Sequence, residues 1–269
     1  MTLLLAIFAG AIIGLSLGAL GGGGSILAVP VLVYALGQSP AQATTGSLVV
    51  VGVTSLIGAV EAYRAGHVLL ARGAGFGAVA LGGAVVGAKA SAHVPEPVLL
   101  ACFAALMLLV AAVMAIRLVR NEDGNRRGAP DDPIITFSPT FACQCPRALK
   151  VLITATVVGL LTGFLGVGGG FLVVPALLLA LALPMEYAAG TSLVVITMTS
   201  AVALAVRAGT GVSPDWWLVV VLTGASAAAA VAGARLAGRT DTRRLQTAFT
   251  VLVLAVAVYT AARAFPALF

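Results

Sequence analysis

Two clusters of small residues carry the chemistry open to this sequence. One is Gly21-Gly22-Gly23-Gly24-Ser25; the other comprises Gly166, Gly168, Gly169 and Gly170. Glycine tolerates bare or left-handed backbone. A glycine turn that opens a helix leaves N–H groups unpaired at the positive end of the helix dipole. Such an end seats an anion without a charged side chain. Hydroxyls recur at matching places, in Thr44-Thr45-Gly46-Ser47 and in Gly190-Thr191-Ser192. They are good helix caps, and they also suit the oxygens of an oxyanion. The candidate anion-binding set is Gly23, Gly24, Ser25, Thr45, Gly46, Ser47, Gly168, Gly169, Gly170, Gly190, Thr191 and Ser192. The plainer reading is tight turns and close helix packing for the glycines, and capping alone for the hydroxyls. Thr54-Ser55 and Thr199-Ser200 lie two turns further along, where hydrogen bonds between helices are the expected role.

Ionisable candidates are few. Glu61, Lys89, Arg207 and Arg235 stand at the ends of apolar segments, as candidates for gating or for drawing in an anion. Snorkelling to the headgroups is the alternative for each.

The elements that must hold these residues follow from composition. Of 269 residues, 61% are hydrophobic and 9% are charged. A soluble domain is about 45–50% apolar and about 25% charged. Apolar segments fall at about 3–20, 25–37, 44–62, 74–90 and 97–116, then at about 150–165, 170–183, 188–206, 216–234 and 245–262. The runs are continuous rather than alternating, so helices are expected and barrel strands are not. This is the pattern of an all-α polytopic integral membrane protein. It argues against a soluble enzyme, a nucleic-acid binder and a disordered chain. The second segment has 13 residues and its counterpart 14, and each carries a proline, Pro30 or Pro175. Neither easily crosses a hydrocarbon core of about 30 Å.

The chain repeats itself at an offset of 145 residues, with 20 identities over the 42 positions 14–55. Gly18, Gly21, Gly23, Gly24 and Pro30 fall on Gly163, Gly166, Gly168, Gly169 and Pro175, and Ser47-Leu48 falls on Ser192-Leu193. Five segments per copy is an odd number, so the second copy is expected upside down relative to the first. The expected division is a first membrane repeat over 1–119, a linker over 120–148 and a second, inverted repeat over 149–269. Because residues 3–20 have a repeat partner and no basic flank, they read as structure rather than as a cleaved signal.

Charge sets the orientation. With the amino terminus outside, the inside loops hold twelve cations: Arg64, Arg72, Arg117, Arg120, Arg126, Arg127, Arg147, Lys150, Arg235, Arg239, Arg243 and Arg244. Only Lys89, Arg207 and Arg263 fall outside. The positive-inside rule then puts both termini outside and the 117–148 loop in the cytoplasm. Cys143 and Cys145 form a C-x-C in that loop, where free thiols are expected, and two ligands are too few for zinc. Cys102, in mid-helix, is expected to pack as a small apolar residue. His67 and His93 read as solvated loop residues.

The duplicated Gly-x-x-Gly-x-Gly-Gly…Pro motifs, at Gly18…Pro30 and Gly163…Pro175, resemble those of the TauE/SafE sulfite exporter family. Ala43-Thr-Thr-Gly-Ser-Leu48, Ala188-Ala-Gly-Thr-Ser-Leu193, Tyr63-Arg-Ala-Gly66 and Gly87-Ala-Lys89 are similar too. The resemblance runs through both halves and omits 121–146. After Gly66 the chain has His67-Val-Leu where the family usually has a tryptophan or similar residue. The resemblance implies a plasma-membrane secondary transporter for sulfur-containing anions such as sulfite or organosulfonates, with proton-linked movement. Expected partners are that substrate, the bilayer and, as a candidate, a second copy of the chain; nucleic acid is not expected. No cofactor, metal or enzymatic activity is expected. The competing readings are a passive anion channel and a membrane accessory protein relaying sulfur or metal through Cys143 and Cys145.

Overall fold

In the computed structural model, residues 2–91, 96–120, 145–165, 170–180, 183–207, 214–238 and 240–264 are described. All regular elements among them are helices. The first half contributes α1 (Thr2–Leu20), α2 (Gly23–Pro30), α3 (Pro40–Arg64), α4 (Leu70–Ser91) and α5 (Glu96–Arg120). The second contributes α6 (Cys145–Leu165), α7 (Gly170–Ala180), α8 (Met185–Arg207), α9 (Trp216–Ala237) and α10 (Thr242–Ala264). Among the described residues, five helices are long and apolar enough to cross a bilayer: α1, α3, α4, α8 and α9. Their lipid-facing sides are greasy. Leu4 is 73% exposed and Phe8 69%.

Local signals start the helices where they do. Ser39 and Gln42 form a capping box at the start of α3, and Pro40 occupies the first turn. Asp215 caps α9 by accepting from the N–H groups of Trp217 and Leu218. The two short segments are confirmed. α2 spans eight residues and passes at Pro30 into a π-helical turn, Val31–Ala35. Proline has no N–H to continue the ladder. The turn widens, so that the Leu36 N–H donates to the Val31 carbonyl at 3.1 Å and the Gln38 N–H to Leu32 at 3.0 Å. α7 spans eleven residues around Pro175.

The halves are interlaced rather than side by side. α1 packs along α9, and α4 along α6. Both seams are made of small residues and both run parallel. Gly14 and Gly18 lie on the backbone of Ser226 and Ala230; their repeat mates Gly159 and Gly163 lie on Ala80 and Ala84. The same register therefore occurs twice. In a bilayer such close approach is the main attraction available to helices. α3 and α8 are repeat mates and touch each other. Gly52 faces Ser200 while Gly58 faces Leu193, so the two helices cross antiparallel. That crossing shows the inversion directly, and a pseudo-twofold axis passes between them.

The helix directions collect the cations at one end. The carboxyl ends of α1, α3 and α9 meet the amino ends of α8 and α10 around a shared cavity. The Leu69 N–H, just before α4, donates to Thr191 Oγ1 at 3.2 Å and brings α4 to the same end. Arg64, Arg72, Arg235, Arg243 and Arg244 therefore cluster there, and Lys150 joins them on α6.

Candidate functional site

The glycine turn between α1 and α2 reverses the chain. Gly21 takes φ +76°, a left-handed conformation that side chains resist. α2 then folds back on α1; a Cβ at Gly24 would stand 2.8 Å from the Leu17 nitrogen. Gly22 lies on the Gly170 carbonyl, where α7 begins. Ser25 Oγ donates to the Gly22 carbonyl at 2.7 Å, and it lies 2.6 Å from where a Cβ of Gly170 would be. Ser25 and Gly170 are repeat mates, so the two short helices start against each other at the pseudo-twofold axis. Gly23 faces α10, where a Cβ would stand 2.8 Å from Leu252 Cδ2. Tight packing alone thus demands glycine at several of these positions. Gly168 and Gly169 lie outside the described residues.

One hydroxyl cluster reaches this centre: a Cβ at Gly21 would stand 2.7 Å from Ser192 Oγ, so Ser192 lies against the glycine turn. Thr45 and Ser47 lie near the start of α3, Thr191 and Ser192 near the start of α8. Because these helices are antiparallel, the two clusters stand roughly 20 Å apart, at 1.5 Å per residue. All four residues are buried. Ser47 Oγ donates to the Thr44 carbonyl at 2.9 Å and Ser192 Oγ to Ala189 at 2.7 Å. Gly46 packs on Val219, and Gly190 on the His67 carbonyl. Among the described residues, the structure thus brings Ser25, Gly170 and Ser192 to the glycine turns, with Thr45 and Ser47 toward the other end of the crossing.

The ionisable candidates lie at the periphery. Glu61 pairs with Arg64 at 3.8 Å at the cation-rich end, where exposed Arg235 also stands near the close of α9. Lys89 is exposed at the opposite end, where α8 finishes at Arg207. Among the described residues no charged side chain is buried; the buried polar groups are hydroxyls and two glutamines, Gln38 and Gln246.

His67 is a correction to the sequence reading. It is not isolated. Its Nε2 lies 3.8 Å from Glu186 Oε2, and its ring meets Tyr187 edge-on at 5.7 Å. With Gly18, Ala62 and Gly190, His67 and Glu186 line a cavity of about 40 Å³ at the cation-rich end. That is room for one or two waters. Inversion is the signal that finds this pair, since the end of α3 must meet the start of its mate α8. Gln38 was also missed. It is 7% exposed, beside Gly46, and neither amide atom has a hydrogen-bond partner among the described residues. Cys102 is a further correction, being exposed on α5 rather than packed. Cys143 lies outside the described residues, and Cys145 is the first residue of α6.

Inverted halves, broken segments that meet in the middle and a buried interior without charge are features of membrane transporters. The comparisons agree on the class and give the family. The model of the sulfite exporter TauE/SafE family matches residues 6–260, and the chain belongs to that family. A probable membrane transporter protein of Xylella fastidiosa strain 9a5c is 30% identical over 96% of this chain and 94% of its own. One from strain Temecula1 is 34% identical over 72% and 70% respectively. The probable membrane transporter YdhB of Bacillus subtilis strain 168 is 26% identical over 78% and 79%. No solved structure matches the chain.

Proposed function

We propose that the protein is a secondary transporter moving small sulfur-containing oxyanions, sulfite or organosulfonates, across the plasma membrane by alternating access. The reading rests above all on the antiparallel crossing of the repeat mates α3 and α8. Two like halves of opposite orientation give the fold two ways to open, related by the pseudo-twofold axis, one to each side. The anion passes the start of α2 at Gly23, Gly24 and Ser25, and its counterpart at Gly168, Gly169 and Gly170. The two hydroxyl clusters serve as outer and inner approaches: Thr45, Gly46 and Ser47 on one side, Gly190, Thr191 and Ser192 on the other. The cation-rich end is cytoplasmic, which puts both termini outside and the 117–148 loop inside. Proton coupling is part of the proposal.

The experiment is uptake into proteoliposomes of purified protein, comparing sulfite, thiosulfate, sulfoacetate, taurine and sulfate. Saturable flux of at least one sulfur oxyanion, accelerated by an imposed pH gradient, is the expected result. Flux that never saturates would indicate a passive channel. Protein that reconstitutes folded and moves none of the five would refute the substrate class.

A further inference from the structure

Thr54, Ser55 and Ser200 are at most 1% exposed, and their hydroxyl oxygens have no hydrogen-bond partner among the described residues. Hydrogen bonds between helices are the role expected from sequence, and these three make none among the described residues. An unmet hydroxyl at bilayer depth is costly. Ser55 and Ser200 are repeat mates, one on each of the helices that cross at the pseudo-twofold axis. Gly52, one turn before Ser55 on the same face of α3, stands against Ser200; a Cβ there would be 3.2 Å from Ser200 Cβ. Ser55 and Ser200 therefore both lie on the contact faces of the crossing and flank its midpoint. Ile196, one turn before Ser200, reaches the space beside Gly170 that also borders Ser25 Oγ. The two hydroxyls thus continue inward from the point where the short helices meet.

We propose that Ser55 and Ser200 form a midplane oxyanion station, two hydroxyl donors left free to bind an anion as it passes the axis. Thr54 is a third donor beside them. The chemistry favours an anion over a metal cation. A cation site is built from carboxylates and carbonyls, and among the described residues no carboxylate is buried. A hydroxyl donates a hydrogen bond and turns to suit its acceptor. The pair is symmetric about the axis, so it presents the same donors to an anion arriving from either side. The inference deepens the transport reading and rests on it.

The test compares wild type with Ser55→Ala, Ser200→Ala and the double variant, using sulfite as the probe. Thr250→Ala is the control, because Thr250 is also buried but its hydroxyl donates to the Gln246 carbonyl at 2.8 Å. Two readouts are needed: the thermal midpoint in detergent without anion, and the half-saturating sulfite concentration in proteoliposomes. A hydroxyl with no partner can be removed without loss of stability. The double variant should therefore melt no lower than wild type. Its half-saturating concentration should rise about ten-fold or more, since a hydrogen bond to a charged group is lost at each position. Thr250→Ala should leave that concentration unchanged. A double variant that melts well below wild type with unchanged sulfite dependence would make the pair structural and overturn the proposal. Unchanged values of both readouts would overturn it too. Wild type that moves no sulfur oxyanion removes the transport reading and this station with it; wild type that moves sulfite while the variants match it removes the station alone.

Discussion

Ser226 shows how much one hydroxyl contributes in the seam between the halves. Its Oγ donates to the Gly10 carbonyl at 3.0 Å, from α9 to α1, and the residue is fully buried. Ser226→Ala should lower stability by about 0.6 kcal/mol, the average for such bonds in a membrane protein. Reversible unfolding of the detergent-solubilised protein would measure it. Glu186 supports a functional prediction. Its carboxylate lines the cavity at the cation-rich end, where it would repel an approaching anion. Glu186→Gln should therefore lower the half-saturating concentration for sulfite presented from that side. A rise would mean that the carboxylate, with His67, holds the entrance in its working shape. Legibility at this scale was uneven. Ser25 was visible because it follows four glycines and opens a short segment. His67 and Gln38 were not, since their burial and partners come from helices distant in sequence.

At the scale of elements the sequence was more informative. The apolar run at 188–206 became α8, Met185–Arg207, and the short proline-bearing runs became α2 and α7. Hydropathy and proline carry that information locally. Which helix packs on which was not written locally, yet the glycines encode it in register. A Cβ at Gly18 would stand 2.9 Å from Ala230 Cα, and one at Gly163 2.7 Å from Ala84 Cα. Gly18→Val and Gly163→Val should each force a seam apart and cost about 1–3 kcal/mol or more, as overpacking does. The seams are separate, so the two costs should add within about 0.5 kcal/mol. Unfolding of the single and double variants checks both statements. Strong non-additivity would mean that the seams open together.

For the whole molecule, the duplication and the odd count of segments anticipated inversion, and the antiparallel crossing of α3 and α8 bears it out. Inversion sets the two hydroxyl clusters toward opposite ends of the α3–α8 crossing, with Ser192 against the Gly21 turn. Thiol labelling reads the orientation in the cell. On a cysteine-free background, Lys89→Cys should react with an impermeant thiol reagent added outside intact cells. Arg64→Cys should react only after the membrane is opened. The reverse pattern would invert the assignment of both termini.

The seams have a consequence for how the molecule is made and where it came from. The seam glycines of α1 and α4 are covered by the second half, α1 by α9 and α4 by α6. During synthesis the first half must wait in the bilayer with its contact faces covered only by lipid, until the rest of the chain arrives. The same pairing suits two identical copies of a single half, inserted in opposite orientations. An ancestor of that kind could not have carried the present lopsided set of arginines. In that history, a charge bias that would fix each half in one orientation belongs to the time after the halves were joined.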